Sequence, residues 1–172
     1  LISALFIVLE DGMPILFTQE RLGLHKKLFT IYKIRTMKKN APQVGTDKIN
    51  NIYHLKVGSI LRKLKLDEFP QLINVLIGDL NLVGPRPGLK NQDELLKSRS
   101  NKNIFSTKPG ITGLAQILGY DMSDPKLLAE IDALYIKNQT VRLDTIILFG
   151  TFFNFLTKYL ATQFKIHKLQ NN

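Results

Sequence analysis

The amino-acid sequence predicts a mixed α/β (α+β) fold, one compact domain over residues 1–172, and three features predict it. Short runs of apolar, β-favouring residues lie near the start and again at 111–117. Two apolar stretches of helical period flank the acidic pair Asp67-Glu68, giving a helix–acid–helix segment near the middle. The chain closes on a long Phe- and Leu-rich helix interrupted by lysines. At 172 residues the chain is long enough to bury a real core, and 44% hydrophobic content argues against disorder.

The formal net charge of +10 calls for a polyanionic partner, whether nucleic acid, anionic lipid or a phosphorylated substrate. The absence of cysteine excludes disulfides and thiolate metal sites. His25, His54 and His167 show no ligand spacing, which argues against zinc. No stretch reaches the roughly 20 apolar residues that cross a bilayer. The opening LISALFIVL gives way after nine residues to Glu10 and Asp11. It begins on Leu1 rather than Met, so the chain is expected to be a fragment or a trimmed form.

Residues 14–20 and 28–34 are expected strands, joined by a turn over 23–27. Lys33 and Arg35 stand either side of Ile34 and would share one strand face, as a phosphate-facing pair or simply a solvated one. Residues 38–53 read as a loop. From His54 the chain turns helical, with Val57, Ile60, Leu61 and Leu64 as its apolar stripe and Arg62, Lys63 and Lys65 off it.

Asp67 and Glu68 then precede Pro70, and Leu72, Ile73, Leu76 and Ile77 recur at helical spacing until Gly78. Proline is favoured in a first helical turn and glycine just past a last one. The two acids therefore belong at a helix N-terminus, where unpaired N–H groups favour negative charge. They read either as capping acids beside surface basic residues or as a centre for metal-assisted phosphate chemistry.

In the Gly84-Pro85-Arg86-Pro87 turn, prolines restrict the backbone on both sides of an arginine suited to a bidentate hold on carboxylate or phosphate. Residues 91–98 are a polar helix candidate, and 111–117 a strand bent at Gly113. Asp124-Pro125 starts a helix whose apolar face is Leu127, Leu128, Ile131, Leu134 and Tyr135. The closing helix, with its interfacial part at 144–164, fits a membrane interface with lysines at the headgroups, or burial in the core.

By themselves these residues leave a phosphate-handling enzyme and a nucleic-acid-binding module both open. The spread of basic residues and the absence of Trp or a known binding motif count against the second. A structural membrane-surface protein would explain the amphipathic end but not the acid pair.

Three phrases in order carry a more specific signal: PILFTQERLGLHKKLFTIYKIRTM (14–37), KLDEFPQLINVLIGDLNLVGPRP (65–87) and KPGITGLAQILGYD (108–121). Together they resemble the bacterial sugar transferase family, the monotopic polyprenol-phosphate phosphoglycosyl transferases, over roughly residues 1–160. The resemblance implies transfer of a sugar-1-phosphate from a UDP-sugar to polyprenol (undecaprenyl) phosphate through a covalent aspartyl-phosphosugar, at the start of cell-surface glycan synthesis. It implies that Asp67 is the nucleophile, that Glu68 is the metal ligand for Mg²⁺, and that Asp144 is a supporting catalytic acid. It further implies that Arg62, Arg86, Lys33, Arg35 and Gln116 bind substrate or phosphate.

Residues 1–9 would be the last turns of a re-entrant membrane hairpin. Membrane lipid at the cytoplasmic face of the bacterial inner membrane is then a partner and nucleic acid is not, with oligomeric state open, a dimer included. Leu118 and Tyr120 depart from the Asn and Arg common in the family, which leaves the sugar open.

Overall fold

The computed structural model describes residues 2–42 and 53–164. Most of the loop expected over 38–53 lies outside the described residues, as do Lys165, His167 and Lys168. Two compact units account for the rest, one within residues 1–19 and 30–76, the other within 20–29 and 77–172.

The first unit opens with α1 (Ile2–Asp11), which buries Ile7 and leaves Leu5, Phe6 and Leu9 exposed. Strands β1 (Leu16–Leu22) and β2 (Leu28–Ile34) pair through a five-residue connection, a link only an antiparallel hairpin permits. Residues 16–19 and 30–34 of this hairpin fall in the first unit. Helix α2 (Lys56–Lys63) follows. Ile7, Leu55 and Leu61 form the local core, with Ile15, Ile34 and Val57 packed against it. The expected stripe on α2 is only partly buried, because Ile60 and Leu64 are exposed. Gly58 lies so close to Thr36 that a Cβ would strike the Thr36 carbonyl, so the small residue takes the inward position.

A single 3-10 turn (Leu66–Glu68) then leads into α3 (Gln71–Leu76). The acids thus stand just before a helix, as the Pro70 and Gly78 signals predict. The helix is inverted, however: Gln71 and Asn74 are buried, while Phe69, Ile73 and Leu76 are exposed, Leu76 by 86%. The reason is a backbone need. Asn74 donates to the Thr30 carbonyl at 2.7 Å and accepts from the Tyr32 N–H at 3.2 Å, supplying β2 with partners.

In the second unit, β3 (Asn81–Val83) and β4 (Gly110–Thr112) pair in parallel, Asn81 opposite Gly110 and Val83 opposite Thr112. The strand expected over 111–117 stops at Thr112 and gives way to α5 (Leu114–Ile117). At Gly113 the chain passes so near the Gly84 carbonyl that a Cβ would collide with it, and Leu114 and Ala115 then turn into the core.

Helix α4 (Asp93–Asn101) is the polar helix expected near 91–98. Helix α6 (Pro125–Lys137) starts as predicted, with Asp124 accepting the Leu127 N–H at 3.0 Å. The single closing helix is in fact two, α7 (Val141–Gly150) and α8 (Asn154–Gln163). Thr151 bonds Thr112 at 2.9 Å and Gly150 packs closely on Ile117, and these contacts turn the chain where propensity alone would continue it. Leu143, Ile147 and Leu160 enter the core, whereas Phe149, Phe152 and Phe153 are exposed. Among the described residues no helix is long and apolar enough to cross a membrane.

Candidate active site

The 3-10 turn presents Asp67 and Glu68 in different surroundings. Asp67 is buried, and burial pushes its carboxyl above the usual range, with the Glu68 charge acting in the same direction. The fields of Lys33 and Arg62 work against that rise without cancelling it. Glu68 instead accepts from the Lys33 ammonium at 2.7 Å, a contact delivered by β2. The fixed place of α3 on β2, through Asn74, keeps those two side chains in reach.

Arg62, at the end of α2, donates from Nη1 to His54 Nε2 at 2.9 Å. A guanidinium has no acceptor, so His54 is the neutral imidazole with its proton on Nδ1. Burial, then the Arg62 charge, holds His54 below its ordinary value. One of the five Arg62 donors is thereby occupied.

Arg35 parts company with Lys33. It lies just past the end of β2 and is 5% exposed. Its guanidinium is paired with the Asp11 carboxylate and bonded to the Gly12 carbonyl, and its Nε donates to the Pro14 carbonyl at 2.6 Å. That clasp fastens the end of α1, and the Arg35 bond holds the Asp11 carboxyl below its usual range.

The first unit thus brings Asp67, Glu68, Lys33 and Arg62 together and places Arg35 in a structural clasp. Arg86, Gln116 and Asp144 belong to the second unit. Asp144, in the first turn of α7, accepts from the Tyr135 hydroxyl at 2.7 Å. Burial and the neighbouring Asp144 push that hydroxyl up, so it remains a donor. Gln116 donates to the Ile111 carbonyl at 3.3 Å, and its Oε1 is buried without a hydrogen-bond partner.

Arg86 is partly exposed on a turn whose backbone is closely tied. The Pro85 carbonyl accepts from Gly110 N at 3.0 Å and the Arg86 carbonyl from Arg99 Nη1 at 2.7 Å. The Pro87 carbonyl accepts from Arg21 Nη1 at 3.2 Å, and the Gly88 carbonyl from Leu22 N at 3.0 Å.

Asp67 and Glu68 offer only oxygen donors, and among the described residues no cluster of three or more His, Asp or Glu assembles. A divalent ion there would draw on one or two carboxylates and on substrate phosphates, the manner of Mg²⁺. The under-compensated charge on Asp67 fits such an ion.

Sequence reasoning missed Asn74, His54, Tyr135 and the Arg99–Asp132 pair. Two of these carry a readable signal: Gln71 and Asn74 repeat at helical spacing inside an apolar run, and Asp132 sits one turn from Leu128 on an apolar face. His54 and Tyr135 carry no comparable mark.

Residues 1–158 match the bacterial sugar transferase family. The chain is 43% identical over 140 residues to an uncharacterized sugar transferase, EpsL, of Bacillus subtilis, covering 81% of this chain and 69% of that one. It is 38% identical over 168 residues to a UDP-N-acetylgalactosamine-undecaprenyl-phosphate N-acetylgalactosaminephosphotransferase of Aeromonas hydrophila, covering 94% of this chain and 40% of the relative. With a UDP-glucose:undecaprenyl-phosphate glucose-1-phosphate transferase of Caulobacter vibrioides it shares 37% identity over 168 residues, covering 91% and 62%. The chain thus spans less than two thirds of these last two relatives. A match over residues 1–158, joined to relatives above 35% identity along most of its length, places the chain in the bacterial sugar transferase family.

Proposed function

We propose that the chain is a phosphoglycosyl transferase that moves a sugar-1-phosphate from a UDP-sugar to undecaprenyl phosphate, with residues 1–172 acting as one catalytic domain. The observation that carries this reading is the family match across residues 1–158, with the Asp67-Glu68 pair inside it. The names of the Aeromonas and Caulobacter relatives support both donor and acceptor.

Asp67 is the nucleophile. Its carboxylate oxygen forms a bond to the sugar-bearing phosphorus while the bond from that phosphorus to the bridging oxygen breaks, and UMP leaves with the electron pair. An oxygen of undecaprenyl phosphate then attacks the same phosphorus and returns Asp67 as carboxylate. Covalent catalysis of this kind splits one difficult displacement into two. Glu68 is the residue that would hold Mg²⁺, sharing its carboxylate with Lys33. The ion, when bound, supplies the positive charge that lets an anion approach a diphosphate.

Lys33 and Arg62 favour the ionised, nucleophilic form of Asp67. Arg62, Arg86 and Gln116 are assigned to phosphate or donor binding, and Asp144, oriented by Tyr135, to a supporting role. Arg35 serves the reaction through the fold, since its donors are taken up by Asp11 and backbone carbonyls.

Attachment is monotopic, on the cytoplasmic face of the bacterial membrane. Its support is the exposed apolar set of Leu5, Phe6 and Leu9 on α1 and Phe69, Ile73 and Leu76 around α3, with exposed lysines 63 and 65 nearby in the chain.

The test is incubation with Mg²⁺ and a panel of UDP-sugars, following UMP release with and without undecaprenyl phosphate. One UDP-sugar should give catalytic UMP with acceptor and a stoichiometric burst without it. No UMP from any UDP-sugar under either condition would reject the reading.

A further inference from the structure

We propose that the buried Arg99–Asp132 pair is a positioning device for Arg86, setting the direction in which that side chain meets a diphosphate. The proposal rests on the transferase reading for the identity of that diphosphate and on geometry for the rest.

The direction in which a side chain leaves the backbone is set by the two peptide planes that flank its Cα. For Arg86 the preceding plane is held through the Pro85 carbonyl, which accepts from Gly110 N at 3.0 Å. The following plane, between Arg86 and Pro87, has no N–H, because Pro87 is an imino acid. Its one polar handle is the Arg86 carbonyl, and Arg99 Nη1 takes it at 2.7 Å.

Arg99 in turn is aimed by Asp132. Its Nε and Nη2 donate to Asp132 Oδ2 at 3.0 and 2.6 Å, leaving Nη1 directed at the turn. Both side chains are nearly sealed from water, at 3% and 4% exposure. Burial pushes the Asp132 carboxyl up, and the Arg99 guanidinium opposes that by favouring the ionised form.

A buried ion pair is a poor device for stability alone, since apolar residues of similar volume often serve as well or better. A planar fork with a third donor is, by contrast, well suited to orient one carbonyl. Loss of Arg99 takes that donor away from the Arg86 carbonyl, in a turn where the proline ring limits but does not by itself set the orientation of the plane.

The experiment is a mutant cycle on the full chain, read as the Kd for UDP in Mg²⁺ buffer by calorimetry. The parent, Arg86→Ala, the double variant Arg99→Met/Asp132→Leu and the triple variant are compared. The double variant should melt near the parent temperature and bind UDP roughly tenfold more weakly, the scale of one misaligned hydrogen bond to a charged group. In the Arg86→Ala background the same two changes should add nothing. In turnover, KM for the active UDP-sugar should rise while kcat holds.

If the double variant does not fold, Arg99→Lys, which keeps a cation for Asp132 without the three-way fork, carries the same cycle. Unchanged UDP affinity in a folded variant overturns the proposal. So does an additive loss in the Arg86→Ala background, or a parent that binds no UDP. Because UDP binding needs no turnover, a parent that binds UDP but releases no UMP would sink the transferase reading and leave this cycle readable.

Discussion

The turn around Arg86 and the turn around Asp67 are built on opposite principles. At the first, backbone carbonyls 85 to 88 each have a named donor, and the ion pair behind them is complete. At the second, a buried carboxyl is pushed upward by burial and by its own neighbour, and the helix beyond exposes its apolar side. Saturation fixes geometry, whereas an unbalanced charge stores attraction for something that comes from outside. The proposed transfer calls for both properties, and this chain keeps them on separate segments.

The largest effect that would test this contrast is at Asp67. Asp67→Asn should lose turnover and the covalent intermediate outright, since an amide cannot form the acyl-phosphate. Incubation with sugar-radiolabelled UDP-sugar, without acceptor, should leave no label on the denatured variant; label there would reject the nucleophile. The same variant should be more thermostable than the parent at neutral pH. A raised folded-state pKa means the native state binds the proton more tightly, so the contribution of Asp67 to stability is present at low pH and lost as pH rises through the folded value. The gain in Tm should therefore shrink as pH is lowered toward 4.

Next in size is the second acid of the pair. Glu68→Gln should slow both half-reactions by roughly 10²- to 10³-fold, the usual cost of removing one electrostatic stabiliser. Chelation with EDTA should abolish turnover. Independently of activity, Mg²⁺ should raise the Tm of the parent, because a ligand that binds only the native state stabilises it. It should not raise that of an Asp67→Asn/Glu68→Gln double variant. Full activity in chelator would remove the ion from the mechanism.

These outcomes bear on what the amino-acid sequence makes legible. The acids before Pro70, the hairpin strands and the capped start of α6 follow from local rules, so they read directly from residue order. Sidedness does not. The apolar period of α3 marks a helix but not which face is buried, because the decisive partner is the backbone of β2, some 40 positions away. Arg35 likewise looks equivalent to Lys33 in a strand pattern, until the end of α1 arrives to claim it. The break between α7 and α8 depends on Thr112 of β4 and Ile117 of α5, with all of α6 in between. Where partners are distant in sequence, periodicity shows a shape and not a neighbour.

The inverted helix gives the third test. Asn74→Leu removes from the Thr30 carbonyl and the Tyr32 N–H the side chain that bonds them at a part-buried edge of β2, which costs up to about 1–3 kcal/mol. A Tm loss of several degrees should follow. Ile73→Ser and Leu76→Ser, on the opposite face, should leave Tm within error and reduce co-sedimentation with anionic liposomes. The reverse pattern would show that α3 packs its apolar side inward.

The smallest expected effect concerns Arg62, the cation whose field reaches Asp67 while one donor rests on His54. His54 has a folded pKa below its ordinary value of 6.5, through burial and then the Arg62 charge. Between those two values the unfolded chain binds the proton and the native state does not, so stability rises with pH. The contribution is present above pH 6.5 and is lost as pH falls through the folded value. Protonation also takes away the lone pair that Arg62 Nη1 uses and sets two cations together. His54→Gln, whose amide oxygen can accept from Arg62 at every pH, should therefore flatten the decline in Tm between pH 7 and pH 5. The check is a pair of melting series on parent and variant, with the His54 ring followed by NMR in the parent. Parallel declines, or a ring that titrates above 6.5, would show that His54 does not accept from Arg62 and that the arginine is held some other way.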